Sequence, residues 1–418
     1  MSAELPGAPA RPGRPGRPGR LPAAFFVTLG FIQALWPLTM DLYLPAFPQI
    51  QAELATSPSL VQFTLTGAFV GMACGQLVAG PLSDRVGRIR PLVVALVVYT
   101  VASVACAMAP TVGVLIGSRL VQGVGAAATA VIILAIVRDR AEGPLMVKLL
   151  ARLQLINGVF VVASPAIGAQ LLRLTDWRGL FWLLVVYGIV LLLAALAVLA
   201  RHETNPLAVR ALRTGARLRD DYLALARDRQ YRAAVGAGAL QWAAMMSYMA
   251  SSAFLFQGIF GLDATAYAIV FGGHGALMIA GAQLSARLAG RMNVTAVARG
   301  GAVVLFGFAA LLLAGQLFAP GLGLLGFVLP LFAFTTTFGV ISPTLQSSAL
   351  AHHGPRAGAA ASLVGATNMV AGAVGAPIVG LFGVTSTVPA AAVMTLCAGL
   401  SAVVLLVGFR TRRPGRDR

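Results

Sequence analysis

Three ionisable side chains stand alone within long apolar runs: Asp41 in WPLTMDLYLPAFP, Arg119 in GSRLVQGVGAAATA and His274 in FGGHGA. A charge held in hydrocarbon is costly, so such residues pair, face a wet cavity or do chemistry. Asp41 suits the carrying of a proton. Desolvation favours the neutral form of any carboxyl group, whereas a neighbouring guanidinium or water favours the carboxylate. A site that alternates between those surroundings takes up a proton on one side of a membrane and releases it on the other. Arginine keeps its charge, so Arg119 can bias that exchange without carrying the proton. An ion pair of purely structural use is the alternative for the two. Histidine titrates near neutral pH, but the glycines around His274 favour a hydrogen-bonded packing role. Counting at ~1.5 Å per residue from Pro48 and from Pro110 puts Asp41 and Arg119 at similar depths, roughly 10–14 Å inside one boundary.

Such residues need elements that cross a bilayer to position them. Of the 418 residues, 58% are hydrophobic and 11% charged, with a mean hydropathy of +0.85. An ordinary soluble domain carries about 25% charged residues. Windows of about 20 apolar residues predict twelve spans, at roughly 24–48, 59–81, 92–109, 112–137, 150–172, 179–200, 233–258, 264–286, 300–318, 321–345, 358–382 and 387–409. The expected fold is an all-α membrane protein with six-helix halves at 24–200 and 233–409 and a partly helical linker at 201–232. Basic tails occupy 1–23 and 410–418; the first holds RPGRPGRPGR, a disordered low-complexity stretch suited to anionic lipid. Cys74, Cys106 and Cys397 lie apart in apolar runs, and His352 and His353 lack companion ligands. No disulfide framework, metal or cofactor is expected.

Charge tests the span count independently. On a twelve-span path, 28 of the 31 Lys and Arg residues fall on the side of the N-terminus. Only Arg173 and Arg178 fall on the other side, and Arg119 lies within a span. Cytoplasmic loops carry such an excess, so both termini are expected in the cytoplasm of a bacterial cell. The formal charge of +18 then describes topology and lipid contact, not nucleic acid. A membrane enzyme is disfavoured, because the spans offer no nucleophile–base–acid set. One chain of twelve spans suffices as a monomer.

The halves echo each other. SPAIG (164–168) in the fifth span matches APIVG (376–380) in the eleventh, at an offset of 212 residues. GPLSDRVGR (80–88) after the second span faces the weaker AQLSARLAG (282–290) after the eighth. Parallel repeats of this kind place a substrate site between the halves. In the loop motif, Gly80 and Gly87 permit close turns, while Asp84, Arg85 and Arg88 form a charged latch whose breakage would open the inner side. Pro165, Gly168 and Pro377 supply bends where the halves meet. Trp36, Tyr43, Trp242, Met245, Met246 and Tyr248 are candidates for an adaptable apolar cavity wall, with Asp41 and Gln122 as its polar members.

These stretches resemble the major facilitator superfamily, specifically its twelve-span drug:proton antiporters of the Bcr/CflA type, over nearly the whole chain. GPLSDRVGR resembles the loop motif between spans two and three. RLVQGVGAA resembles the fourth-span motif whose arginine, here Arg119, is implicated in proton coupling. MDLYLPAFP is similar to the first-span signature whose acid, here Asp41, takes part in proton and drug binding. The chain departs from the family pattern at Ser164, where a glycine usually precedes the proline. It also departs at Gln33, where some relatives carry a second acid, and at Ala286. The resemblance implies proton-coupled efflux of drugs such as phenicols by alternating access. The alternative on the same scaffold is an importer or a metabolite exporter.

Overall fold

The computed structural model describes residues 23–140, 143–199, 203–204, 218–289, 291–350 and 357–408. The two basic tails, most of the linker, and His352 and His353 lie outside the described residues. Among the described residues every regular element is helical. The long ones are α1 (Ala24–Glu53), α2 (Pro58–Val86), α3 (Ile89–Ala107), α4 (Val112–Arg140), α5 (Gly143–Leu171) and α6 (Trp177–Ala194). After the linker come α7 (Arg229–Ala253), α8 (Ala264–Ala289), α9 (Val294–Phe318), α10 (Gly323–Leu350), α11 (Ala357–Leu381) and α12 (Val388–Gly408). A short helix, Leu218–Arg227, precedes α7, in the linker segment expected to be partly helical.

Eleven of the twelve are long and apolar enough by themselves to cross a membrane. The other, α7, continues through a π turn at Phe254–Ile259 and is equally long, but Gln241, Ser247, Ser251 and Ser252 dilute its apolar character. All four are buried. A helix surrounded by its neighbours need not match lipid on every face, so α7 completes the set of twelve.

Packing follows a six-helix offset. In the first half α2 packs on α4, α3 on α4 and α3 on α6; in the second α8 packs on α10, α9 on α10 and α9 on α12. The seam between the halves is built mainly by α2 against α11 and α5 against α8, a pair that the same offset interchanges. The helices bearing SPAIG and APIVG are therefore both seam helices.

Helix ends are capped by short polar side chains. The Ser57 hydroxyl accepts from the backbone of Leu60 at the start of α2, Asp176 from Gly179 at α6, and Asp228 from Gln230 and Tyr231 at α7. Helix α2 runs five residues past the expected end at 81, because Asp84 and Arg85 prolong it outside the hydrocarbon. Gly80 thus lies within a helix and not in a turn. The stop comes at Gly87, whose φ of 108° is accessible to glycine at little cost.

Candidate functional site

The break in α1 places Asp41. Its pieces are Ala23–Gln33, Leu35–Asp41, a 3-10 turn at Leu44–Ala46 and Phe47–Glu53. Pro45 has no N–H to offer the carbonyl of Asp41 four residues earlier, so regular helix cannot continue there. Gly168 of α5 comes against this break: a Cβ at that position would sit 1.9 Å from the Leu42 carbonyl oxygen. Only a glycine lets α5 approach so closely. Asp41 is 4% exposed, and among the described residues no hydrogen bond or ion pair reaches its carboxylate. On the second half, the Tyr267 hydroxyl of α8 is 2.9 Å from the Ser252 hydroxyl of α7.

Arg119 is held inside the first half. It is fully buried, and its Nη1 donates to Gln122 Oε1 at 2.5 Å. Gln122 Nε2 then donates to the Ser103 hydroxyl at 2.7 Å, and Ser103 donates to the Tyr99 carbonyl. The guanidinium carbon lies 4.2 Å from the centre of the Tyr43 ring and 5.8 Å from that of Phe181, an aromatic cage for a cation. Tyr43 is fixed in turn by the Thr64 hydroxyl at 3.0 Å. Thr64 spends its own proton on the Val61 carbonyl, so the phenol is the donor. Nε and Nη2 of Arg119 have no partner among the described residues. Asp41 and Arg119 are joined by the two-residue step from Asp41 to Tyr43, not by a salt bridge, so the structural ion pair is absent. Tyr43 and Gln122, expected on the cavity wall, are here committed to Arg119.

On the second half, His274 and Tyr248 lie ring to ring at 5.3 Å, with Phe271 also 5.3 Å from the imidazole. His274 Nδ1 and the Tyr248 hydroxyl are buried without a hydrogen-bond partner among the described residues. Met245 and Met246 are buried in the core, while Trp36 and Trp242 are partly exposed and packed at its edge. Trp242 stacks edge-on against Phe338 at 5.8 Å. Pro165 and Pro377 lie inside continuous α5 and α11.

At the terminal face, the side on which α1 begins and α12 ends, Arg88 gathers a charged cluster. Its Nη1 is 2.8 Å from Asp84 and 2.7 Å from the Ser83 hydroxyl, and its Nε is 2.8 Å from Asp139 at the end of α4. Glu203, just past α6, accepts from the backbone N–H groups of Arg88 and Ile89. Arg85 is exposed. Burial works against the Arg88 charge, but the hydrogen bond and field of Asp139, with Asp84, outweigh it and raise its pKa. Asp139 and Glu203 were not singled out by sequence, because nothing near them in the chain ties them to Arg88. Every described bond of this latch stays within the first half and the start of the linker. Replacing Asp139 with Asn leaves a buried guanidinium short of one counter-charge. A fall of roughly 2–4 °C in the melting temperature of the purified protein is expected, and an unchanged value would show that Asp84 alone suffices.

The seam is closed on the far face. Among the described residues four hydrogen bonds cross it: Gln257 to the Pro45 carbonyl at 3.0 Å, Gly380 N–H to Gln62 at 3.0 Å, Thr66 to the Ala373 carbonyl at 2.8 Å and Arg173 to Thr265 at 2.8 Å. All four lie in the half of the bundle away from the chain ends. Phe47 and Phe254 meet there at 5.8 Å. A cavity between α7, α10 and α11 lies instead toward the terminal face, lined by Trp242 and Phe338 among others.

Comparison with known proteins agrees with this geometry. The chain is 30% identical over 400 residues to the MFS-type transporter YdgK of Bacillus subtilis, covering 95% of this chain and 98% of that protein. It is 27% identical over 395 residues to the bicyclomycin resistance protein homolog of Haemophilus influenzae, 94% and 98% respectively. A 174-residue segment is 33% identical to the multidrug resistance protein MdtL of Escherichia coli, spanning 42% of this chain and 44% of that one. Among solved structures, a point mutant of the nucleoside transporter NupG superposes with a TM-score of 0.73 at 13% identity, over 92% of this chain and 98% of that one. A D-xylose-proton symporter superposes with a TM-score of 0.67 at 15% identity, over 91% and 96%. At these identities the structural likeness speaks for the fold alone. Residues 29–376 match the Major Facilitator Superfamily, and with twelve helices in two interchangeable halves the chain belongs to that family of membrane transporters.

Proposed function

We propose that this transporter is a proton-driven exporter of amphipathic small molecules, phenicol-like antibiotics among them. It resides in the bacterial cytoplasmic membrane with both termini in the cytoplasm, so the terminal face is the cytoplasmic one. The observation that carries the reading is Asp41: a buried acid, free of any ion pair among the described residues, in a broken helix at the seam. Relatives named for bicyclomycin and multidrug resistance support drugs as the cargo class.

In this mechanism Asp41 takes up a proton while the far face is open, carries it inward as the halves rock, and gives it up to the terminal face as drug enters. Drug and proton occupy the seam in turn, so export of one requires import of the other. Arg119 holds Tyr43, and through it the break that carries Asp41, in a fixed pose. The Arg88 cluster ties α2, α3 and α4 into a body that moves as one, and the four seam bonds are those that must part when the far face opens.

The test is proton release on drug addition by the purified protein in weakly buffered solution, paired with counterflow of labelled drug in vesicles. Drug-triggered release and extrusion under an imposed proton gradient are expected. Uptake under the same gradient would instead select an importer. A second variant probes the coupling cage. Arg119→Lys keeps the charge but loses the planar group that lies over Tyr43 while donating to Gln122. Gradient-driven export is expected to fall about tenfold, with drug binding at fixed pH unchanged; wild-type export by this variant would remove Arg119 from the mechanism.

A further inference from the structure

The cavity toward the terminal face has a chemical character of its own. Its volume is about 140 Å³, and Gln241 and Trp242 of α7, Phe338 and Ser342 of α10, and Asn368 of α11 supply its distinctive lining. No lining residue is ionisable. Ligand sites that enclose a whole drug-sized molecule run to about 300–1,000 Å³, so this space receives one end of a ligand.

The polar end of that space is an acceptor. Gln241 is 1% exposed, and its Nε2 is 3.0 Å from the Ser401 hydroxyl of α12. Ser401 donates its one proton to the Ala237 carbonyl at 3.1 Å, so it must accept from Gln241. This fixes the amide's orientation: Nε2 faces α12, and Oε1 of this cavity-lining residue is buried with no partner among the described residues. Asn368 Oδ1, on the opposite wall, is likewise buried and unpartnered. A buried carbonyl without a donor is unfavourable by the desolvation it has suffered, and a ligand that supplies an N–H or O–H recovers it.

We propose that this cavity is an entry subsite for an uncharged hydrogen-bond donor, namely a terminal hydroxyl group carried on an aromatic or apolar body. The body packs on Trp242 and Phe338, and the donor meets Gln241 Oε1 and Asn368 Oδ1. An anion is repelled by two carbonyl oxygens. A permanent cation finds neutral dipoles but no carboxylate to replace its lost hydration. The subsite rests on the export reading, because the cavity lies toward the face where cytoplasmic cargo would enter. By residue count it is nearer the terminal boundary than Asp41, so cargo meets it before the proton site.

The experiment is equilibrium binding to the purified full-length protein in nanodiscs at a single pH, which makes it independent of proton coupling. Thiamphenicol and florfenicol are the probes; they differ by one hydroxyl against one fluorine, which cannot donate. Wild type is expected to bind thiamphenicol about five- to tenfold more tightly, the worth of one such bond. Asn368→Leu and, separately, Gln241→Leu are expected to bring the ratio close to one while florfenicol affinity changes less than about twofold. Gln241 also ties α7 to α12, so Asn368→Leu keeps the test decisive if the other variant fails to fold. A ratio near one in wild type, or a preference that survives Asn368→Leu, overturns the subsite. If gradient-driven export proves absent while the ratio behaves as described, the subsite stands and the coupling reading falls.

Discussion

Asp41→Asn is expected to abolish gradient-driven export while leaving a folded protein that still binds drug. The amide matches the carboxyl group in size, so the packing around a side chain only 4% exposed is retained. It removes the one buried acid at the seam that is free of any ion pair among the described residues. An amide neither gains nor loses a proton over physiological pH, so the step that ties proton entry to drug exit is gone. Drug susceptibility of an exporter-deficient host should return to that of the empty vector, a change of at least about a hundredfold in coupled rate, consistent with loss of an essential proton carrier. Energy-independent counterflow should persist, since rocking with drug bound needs no proton. Asp41→Glu should recover part of the export. Resistance at the wild-type level with the Asn variant would sink the coupling mechanism.

The second large effect concerns Gly168. A methyl group there would overlap the Leu42 carbonyl oxygen at 1.9 Å and its carbon at 3.0 Å. These are backbone atoms of the α1 break, which cannot rotate away as a side-chain tip would. Gly168→Ala must therefore push α5 and α1 apart by on the order of 1 Å, and overpacking of this kind costs about 1–3 kcal/mol. The displaced residue is the immediate neighbour of Asp41, so function should suffer more than stability. We expect export to fall at least about tenfold, with a modestly lower melting temperature. Gly117→Ala on α4 is the control, because nothing lies within 4 Å of its Cβ position; it should behave as wild type. Full export by Gly168→Ala would mean that the α1–α5 contact does not fix the proton site.

How far the site was legible depended on range along the chain. Asp41 and Arg119 were visible because a charge in an apolar run is conspicuous without any knowledge of neighbours, and Arg88 because it sits in a recognisable glycine-and-charge motif. Tyr43 and Gln122 were picked out by type, without the partner that the packing gives them. Their types suit a cavity wall, and only the packing of α1, α3 and α4 shows that both serve Arg119. Asp139 and Glu203 join Arg88 from 51 and 115 residues away, a separation no local pattern reveals. Gln241 looked like a polar interruption in α7. Its role as an oriented acceptor follows from Ser401, 160 residues later.

By itself the sequence determined the twelve crossings, their alternation and the two-fold repetition of the halves. These follow from the length of apolar runs and the side on which positive charge accumulates, quantities that each segment carries alone because lipid judges it alone. Tertiary structure decided which buried polar groups find partners. It separated Asp41 from Arg119 and gathered the described hydrogen bonds of the seam on one face. Such outcomes depend on distances between helices far apart in the chain, and they are set by close packing at glycines such as Gly168, where the absence of a side chain shows its effect only once the neighbouring helix is in place.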